Sequence, residues 1–331
     1  MSILRTIIRR GPLPSGRESK RRNTIRFAVA KTTCRYLPPL VARRISRSVY
    51  PRQSGIRDAR LFTVRAQTGS FLAGTTEDKL AHSFSLVGYN DWRLWAIAMV
   101  LCRPGDRIIE VGANIGTETV GFSDIVGPSG RVIAFEPVPA SIKWLNATLA
   151  MSRAQNVDVF PFAVGAEDGV VQLEVPSGSP SEAHISEDSS VTQGLLNVNC
   201  IALDSVSELL GDLRLLSIDV EGSELMVLRG AQKIIGKCAP GIVLEANPRA
   251  LRALGTSSGE LYELLRTLGY ITRVVGRFGL TRVESTEFHG YQNWFSTFDN
   301  SQLRAVDRML RLCAALPCIP RLHPLTRPRF R

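Results

Sequence analysis

Five carboxylates in the middle of the chain lie at or directly after the ends of short apolar runs. They are Glu110, Glu136, Asp219, Glu221 and Glu245. In an open α/β sheet, ligands collect outside the carboxyl ends of the parallel strands, so side chains at such positions can meet in one cleft. Carboxylates there can accept hydrogen bonds from a sugar hydroxyl, remove a proton from it or bind a hard metal ion. The sequence therefore predicts a polar ligand site built on strand ends.

A glycine turn follows the first of these runs. Gly112 and Gly116 bracket Ala113-Asn114-Ile115, and the surrounding pattern indicates a strand, a tight turn and a helix. Glycines there allow close approach of the backbone to a ligand, and the helix N-terminus offers unpaired N–H groups. The G-x-x-x-G spacing differs from the G-x-G-x-x-G that seats a pyrophosphate. Dinucleotide binding is therefore disfavoured.

An acidic residue follows the next apolar run, where it could bind the ribose of a ligand held at the glycine turn. Arg131–Phe135 is followed by Glu136, which comes 24 positions after Gly112. A carboxylate at the end of the second strand suits the hydroxyls of a ribose. Together, the turn and the acid predict an adenosine-bearing cofactor. The alternative is an ordinary turn beside a solvated glutamate.

The middle of the chain carries three motifs, namely Ile109–Gly116 together with Thr119, Phe135-Glu136-Pro137, and Ile218–Glu224. Together they resemble the FkbM family of S-adenosylmethionine-dependent methyltransferases, and the resemblance extends from about Gly105 to Phe298. Two positions depart from the family pattern, which commonly has Asp at Glu110 and Lys at Ser217. The second departure removes a cation beside the expected active site. The resemblance implies S-adenosylmethionine as cofactor, held by Glu110, Gly112, Ala113, Asn114, Gly116, Thr119 and Glu136.

The resemblance also implies the reaction, which is O-methylation of a sugar, glycan, glycolipid or polyhydroxylated small molecule. An attacking hydroxyl must lose its proton, and the catalytic candidates are Asp219, Glu221 and Glu245. If Val220 is extended, Asp219 and Glu221 point in opposite directions, so that only one faces the substrate. The alternative is that these two acids cap the helix that begins near Ser223.

Two other arrangements can supply the base. A divalent ion held by Asp219, Glu245 and Asn247 would lower the pKa of a bound hydroxyl directly. Alternatively, His289 near the closing strands or His184 in the polar loop 177–190 titrates close to neutral pH. The competing interpretations are plain hydrogen-bond acceptors for a sugar and surface histidines without a catalytic role. The loop itself is either a linker or a substrate lid.

The alternation of strand and helix patterns predicts a doubly wound α/β fold. With the resemblance, we expect the mostly parallel, seven-stranded Rossmann-like sheet of class I methyltransferases, with an antiparallel edge strand. The expected organisation is a basic, loosely ordered or amphipathic extension over residues 1–60, a cap and helix over 61–104, a methyltransferase domain over 105–300, and a basic helix and tail over 301–331. Gln302 to Leu316 is expected to pack on the domain as an amphipathic helix.

The charge of the chain is concentrated at its ends. The net charge is +11 overall, but +14 over residues 1–60, +6 over 301–331 and −9 between them. A nucleic-acid enzyme more often carries its basic surface on the fold that holds the active site, so no nucleic-acid partner is expected. The basic ends are either solvated or dock on an anionic membrane surface. No apolar stretch suits a membrane span or a secretion signal, so we expect a cytoplasmic protein, with peripheral membrane contact as the variant.

Cysteine spacing and missing motifs bear on a zinc site and on two alternative functions. The six cysteines show no C-x-x-C spacing, which disfavours a zinc site and indicates reduced thiols. A nicotinamide-dependent oxidoreductase is disfavoured by the missing G-x-G-x-x-G and by the absence of a Tyr-x-x-x-Lys pair. The other alternative is a noncatalytic module that its basic ends recruit to a membrane or to nucleic acid.

Overall fold

The computed structural model of the protein describes residues 17–152, 154–175, 184–185 and 195–327. The strands are β1 (Leu61–Arg65), β2 (Phe71–Thr75), β3 (Arg107–Val111), β4 (Arg131–Phe135), β5 (Val157–Phe160), β6 (Ala163–Val164), β7 (Gly169–Glu174), β8 (His184–Ile185), β9 (Leu195–Ile201), β10 (Leu215–Ile218), β11 (Gly241–Ala246), β12 (Ile271–Gly276), β13 (Gly279–Arg282) and β14 (Gln292–Thr297). The helices are α1 (Arg17–Thr33), α2 (Pro39–Val49), α3 (Arg52–Arg57), α4 (Lys79–Val87), α5 (Trp92–Leu101), α6 (Thr119–Val126), α7 (Pro139–Ser152), α8 (Ser207–Leu210), α9 (Glu224–Arg229), α10 (Gln232–Cys238), α11 (Pro248–Ala253), α12 (Ser258–Thr267) and α13 (Asn300–Ala315).

A mostly parallel sheet forms the centre of the molecule. Its strand order is β13-β12-β14-β11-β10-β3-β4-β5, in which β11, β10, β3, β4 and β5 are parallel neighbours. Within this sheet the chain runs first through β3, then outward through β4 to β5, and then returns to β10 on the other side of β3. The connections that follow β3 and β10 therefore leave in opposite directions, and ligands bind in the crevice at such a switch point. The predicted doubly wound fold is confirmed.

The far side of the sheet is antiparallel. Strand β14 lies between β11 and β12 and runs antiparallel to both, and β13 pairs antiparallel with β12 at the edge. Seven of the eight strands correspond to the predicted sheet with its antiparallel edge, and β13 is an additional strand that was not predicted. It is a four-residue strand after a tight turn, and only Gly279 in it is buried. Such a short, exposed strand has no apolar alternation to mark it.

The helices cover both faces of the sheet. On one face α2, α4, α5, α6 and α13 contribute to a large apolar cluster around Trp95, Phe122 and Phe295. On the other face α9, α10 and α12 pack around Leu228, Leu261 and Trp294. The buried residues of α13 include Leu303, Val306, Leu310 and Cys313, so this helix packs on the domain as its pattern predicts. All six cysteines are free.

The described part of the N-terminal region is helical and joins the same core. Ala30, Cys34, Ala42 and Tyr50 are fully buried in the cluster around Trp95. The hairpin of β1 and β2 was not apparent from the sequence, and it packs against α7, where the backbone N–H of Ala73 donates to Thr148 Oγ1 at 3.1 Å. Helices α2, α3 and α4 consequently lie over the carboxyl ends of the central strands. Within the described residues, no helix combines the length and apolar character that crossing a bilayer requires.

A second, smaller sheet follows β5. Its strand order is β6-β9-β7-β8, with β7 antiparallel to β8 and β9. Of the predicted polar loop 177–190, only His184–Ile185 lie within the described residues, and they form β8. Strands β7 and β9 thus belong to a separate sheet beside the central one.

Candidate functional site

A cavity of about 1010 Å³ opens at the carboxyl ends of β3, β4, β10 and β11. Its walls come from the strand ends, from the N-terminal helices and from the small sheet. The titratable or amide side chains in its lining are Arg43, Arg47, Arg52, Gln53, Lys79, His82, Asn90, Asp91, Asn114, Glu118, Glu136, His184, Asp219, Glu221, Glu245, Asn247, Tyr291 and Asn293. This volume lies in the range of cofactor and substrate sites.

The glycine turn after β3 forms part of the cavity floor. Gly112 has φ 88°, and a methyl group added to it would lie 1.8 Å from the carbonyl oxygen of Asp219. The position therefore excludes every side chain, because both its conformation and its surroundings require glycine. The N–H groups of Gly112 and Ala113 donate to the carbonyl of Phe135, at 2.9 and 3.0 Å. The turn is thus fastened to the end of β4.

Glu136 fastens the same turn with its side chain. Its Oε2 accepts the backbone N–H of Asn114 at 2.8 Å, and its Oε1 accepts that of Val138 at 2.8 Å. Burial raises the pKa of Glu136 to about 7, and the two N–H groups oppose that rise. The carboxylate lines the cavity between the glycine turn and β4. This is the position that a ribose-binding acid requires, and the second lone pair of each oxygen can accept another hydrogen bond.

Three acids on the neighbouring strands point into the cavity together. One carboxylate oxygen each from Asp219, Glu221 and Glu245 lies within 4.8 Å of the other two. Burial within the protein raises the pKa of Asp219 well above its usual range, and the negative charges of Glu245 and Glu221 add to the effect. Burial likewise raises the pKa of Glu245, with Glu221 adding to the rise and Lys79 opposing it. The Asp219 side chain is exposed to the cavity, but because protein surrounds the cavity, the carboxylate is still removed from bulk water.

The expectation that only one of Asp219 and Glu221 faces the cavity is wrong. Strand β10 ends at Ile218, and Glu221 has φ 51°, so the backbone turns and the alternation of an extended strand is lost. Glu224 accepts the N–H of Gly222 at 3.1 Å and that of Val220 at 3.4 Å. This loop is therefore tied by Glu224, and Asp219 and Glu221 both face the cavity.

The structure divides the other predicted residues into two groups. Gly112, Asn114, Asn247 and His184 line the cavity. Five do not, namely Glu110, Ala113, Gly116, Thr119 and His289. Glu110 lies inside β3, level with Ser217 and Ala134, and burial raises its pKa well above the usual range. Gly116 closes the turn by donating to the carbonyl of Ala113 at 2.9 Å, and Thr119 is buried in the first turn of α6. Glu110, Ala113, Gly116 and Thr119 are all buried, whereas His289 is exposed.

Asn247 lines the cavity but has another task. Its Oδ1 accepts the N–H groups of Arg249 and Ala250, at 3.2 and 3.4 Å, and so caps α11. Among the described residues, the carboxylates that gather closely enough to hold a metal ion are Asp219, Glu221 and Glu245. The cluster thus adds Glu221 to the predicted ligands Asp219 and Glu245.

Several lining residues were not predicted from the sequence. Glu118 accepts hydrogen bonds from the Asn90 amide at 3.2 Å and the Asp91 N–H at 3.1 Å, and burial raises its pKa to about 7. Asn293 on β14 donates to Asp91 at 3.0 Å. Glu118 lies two residues after Gly116, and this proximity to the glycine turn is the signal that could have identified it. Asp91 and Asn293 are 202 residues apart, so that only the fold brings them together.

Comparison with known families decides what this arrangement is. The family model described as the Methyltransferase FkbM domain matches residues 110–272, from the end of β3 to the start of β12, and includes all three acids of the cluster. The domain belongs to the FkbM methyltransferase family. No curated protein matches the chain.

Similar solved structures include several methyltransferases. A precorrin-6y C5,15-methyltransferase from Geobacter metallireducens is 16% identical, covers 63% of this chain and 89% of its own, and has a TM-score of 0.37. A methyltransferase FkbM from Methylobacillus flagellatus is 14% identical, with 83% of this chain and 59% of its own chain covered, at a TM-score of 0.39. A fibrillarin from Aeropyrum pernix with natively bound S-adenosyl-L-methionine is 15% identical, with 62% and 76% covered, at a TM-score of 0.35.

The FkbM family match locates the cavity within the methyltransferase domain. Its floor comes from the matched residues, including the glycine turn, Glu136 and the three acids. The roof comes from residues 43–94, which lie outside the match. The cavity is therefore formed partly by the matched domain and partly by the segment that precedes it.

Proposed function

We propose that this FkbM methyltransferase transfers a methyl group from S-adenosylmethionine to a hydroxyl oxygen of a sugar, glycan or other polyhydroxylated molecule. A single observation carries the proposal. The Glu136-fastened glycine turn and the cluster of Asp219, Glu221 and Glu245 face the same cavity from adjacent strand ends. A donor and a hydroxyl acceptor can thus be held side by side.

The residues at the glycine turn fit the cofactor. Gly112 leaves the floor without a side chain, and Glu136 offers carboxylate oxygens to the two hydroxyls of a ribose. Asn114 Oδ1 is buried and has no hydrogen-bond partner among the described residues. A buried acceptor of this kind is costly unless a ligand donates to it. Gly112, Asn114 and Glu136 would therefore hold the adenosyl part of the cofactor.

The three acids suit the removal of a proton. When bound, S-adenosylmethionine supplies a methyl group on a positively charged sulfur, which is the electrophile. Burial and mutual repulsion raise the pKa values of Asp219 and Glu245, so their carboxylates hold a proton more tightly than solvated ones. A base whose pKa is closer to neutral is more effective at taking a proton from a hydroxyl. We assign this role to Asp219 or Glu245, with Glu221 orienting the acceptor hydroxyl.

A metal-assisted variant rests on a specific geometry. The oxygens of the three acids lie within 4.8 Å of one another, and such a set can bind a divalent ion such as Mg²⁺. The ion would then lower the pKa of the acceptor hydroxyl, and the acids would serve as ligands. Loss of activity with EDTA and its recovery with added Mg²⁺ or Mn²⁺ would select this variant.

Two measurements test the proposal. The first titrates purified protein with S-adenosylhomocysteine, NADH and a DNA duplex at two salt concentrations. We expect salt-insensitive binding of S-adenosylhomocysteine alone; binding of NADH or DNA instead would contradict the proposal. The second incubates the protein with methyl-labelled S-adenosylmethionine and a glycan and glycolipid extract, and follows the label. Asp219→Asn and Glu221→Gln should abolish transfer while S-adenosylhomocysteine still binds, and full activity of both would remove these acids from the mechanism.

A further inference from the structure

Four basic side chains form one wall of the cavity. Arg43 and Arg47 lie one turn apart on α2, Arg52 begins α3, and Lys79 begins α4. The guanidinium groups of Arg43, Arg47 and Arg52 make no ion pair with any acid in the described part of the chain. Arg47 and Arg52 are largely exposed, whereas Arg43 is half-buried. Burial and the neighbouring charge of Arg43 lower the pKa of Arg47. Like charges held together in this way favour binding of an anion between them.

The basic wall lies on the side of the cavity where β11, β12 and β14 meet. The charge of Lys79 acts on Glu245 at the end of β11, and the ionisable groups of Tyr291, before β14, and Arg277, after β12, act on Arg47. Strand β11 is two positions from β3 in the sheet, which corresponds to about 10 Å at the usual strand spacing. Glu136 lies one strand further away, at the end of β4. Lys79 is therefore close to the acid at the end of β11, and Arg43, Arg47 and Arg52 line the same cavity from α2 and α3.

The charge and the geometry of this wall select the kind of anion. Arginine presents a planar fork of donors that matches phosphate oxygens, and several arginines together are typical of phosphate sites. A carboxylate carries one negative charge, whereas three arginines and a lysine can balance the two or three charges of a phosphate or diphosphate.

Resting on the proposed function, we propose that the methyl acceptor carries a phosphate or diphosphate group, which Arg43, Arg47, Arg52 and Lys79 bind while Asp219, Glu221 and Glu245 face its hydroxyl. The group belongs either to a soluble sugar phosphate or to a phosphorylated lipid. In both cases the phosphate orients the acceptor within the cavity. This gives the Arg-rich segment before residue 60 a function at the active site.

The test is a calorimetric titration with inorganic pyrophosphate, using protein saturated with S-adenosylhomocysteine. The full chain is compared with Arg47→Gln, Arg52→Gln and Arg44→Gln. Arg44 is the matched control, because it lies on α2 and is exposed, but does not line the cavity. We expect pyrophosphate affinity to fall by about 10-fold or more in the first two variants, since each loses a charge-assisted hydrogen bond. Arg44→Gln should stay within about twofold, because a surface charge outside the site contributes little.

The outcomes separate this inference from the proposed function. Failure of pyrophosphate to bind, or equal weakening by all three variants, overturns the phosphate site while S-adenosylhomocysteine binding stands. Weaker S-adenosylhomocysteine binding by Arg47→Gln also overturns it, because the wall would then hold the cofactor's carboxylate. Pyrophosphate binding without S-adenosylhomocysteine binding leaves the anion site and refutes the methyltransferase proposal. Two further arms, UDP-glucose and phosphatidylcholine vesicles with phosphatidic acid, identify the soluble or the lipid source, and Arg47→Gln should weaken whichever binds.

Discussion

Replacement of Glu136 by glutamine tests the centre of the proposed cofactor site. The carboxylate accepts two backbone N–H groups at 2.8 Å, one from the glycine turn and one from Val138. A glutamine side chain keeps one acceptor oxygen but turns an NH₂ group toward the second N–H. That N–H loses its partner in a buried position, which costs about 1–3 kcal/mol of unfolding free energy. The same change removes the charged acceptor that a ribose hydroxyl would use.

The expected loss of cofactor affinity is of similar size. A hydrogen bond to a charged group contributes about 1.5–3 kcal/mol, so the dissociation constant for S-adenosylhomocysteine should rise roughly 10- to 150-fold. Titration calorimetry measures this change, and thermal unfolding of the ligand-free protein measures the stability. Both losses should appear in Glu136→Gln.

Asp204 provides the matched control for this experiment. Its carboxylate also accepts two backbone N–H groups, from Lys233 at 2.9 Å and Ile234 at 3.0 Å, but it does not line the cavity. Asp204→Asn should therefore lower stability and leave S-adenosylhomocysteine affinity unchanged. If Glu136→Gln binds S-adenosylhomocysteine as tightly as the unaltered protein, the carboxylate holds the loop and does not contact the cofactor. If Asp204→Asn weakens binding equally, the loss reflects stability alone.

Two further predictions concern the loops around the site. Gly112→Ala should lose about 1–3 kcal/mol more stability than Gly255→Ala. Both glycines have positive φ, but only at Gly112 would the added methyl group clash, 1.8 Å from the carbonyl oxygen of Asp219. Equal melting temperatures of the two variants would contradict this close approach. Burial raises the pKa of Glu224 from 4.5 to about 7, so the folded protein keeps this proton where the unfolded chain loses it. Stability should then fall as pH rises through that window, by up to about 1.4 kcal/mol per pH unit, and denaturant titrations of Glu224→Gln should show a flatter pH dependence. An unchanged pH dependence would mean that Glu224 ionises normally.

The floor of the site could be predicted from the sequence because its determinants are local. An apolar strand, a glycine at a position that excludes any side chain, and an acid at the end of the next strand are all readable in a short stretch. Glu110 and Thr119 lie in that stretch as well, yet they are buried and do not line the cavity. Adjacent positions in a motif differ in direction, and the sequence alone does not show which ones face the ligand.

The cluster of acids was predicted in membership but not in geometry. The alternation rule for strands separates Asp219 from Glu221, yet the chain leaves the extended conformation after Ile218. The positive φ of Glu221 is the physical cause, and a non-glycine residue in that conformation is uncommon enough that no pattern predicts it. Glu224 holds this turn with hydrogen bonds to the N–H groups of Val220 and Gly222. A short-range pattern therefore identified the acids, and the local backbone determines which way they point.

The proposed anion-binding role of the basic N-terminal segment could not be predicted from its charge alone. Arg43 and Arg47 are four residues apart, which puts them on one face of a helix, but the sequence does not show what that face covers. Buried contacts of Ala42 and Tyr50 fix α2 and the start of α3 against the core. The cations therefore line the same cavity as the acids of the floor. A charge excess that suggests a membrane or an acidic partner can equally serve a small anionic substrate, and only the packing of apolar residues beside the charges distinguishes the two.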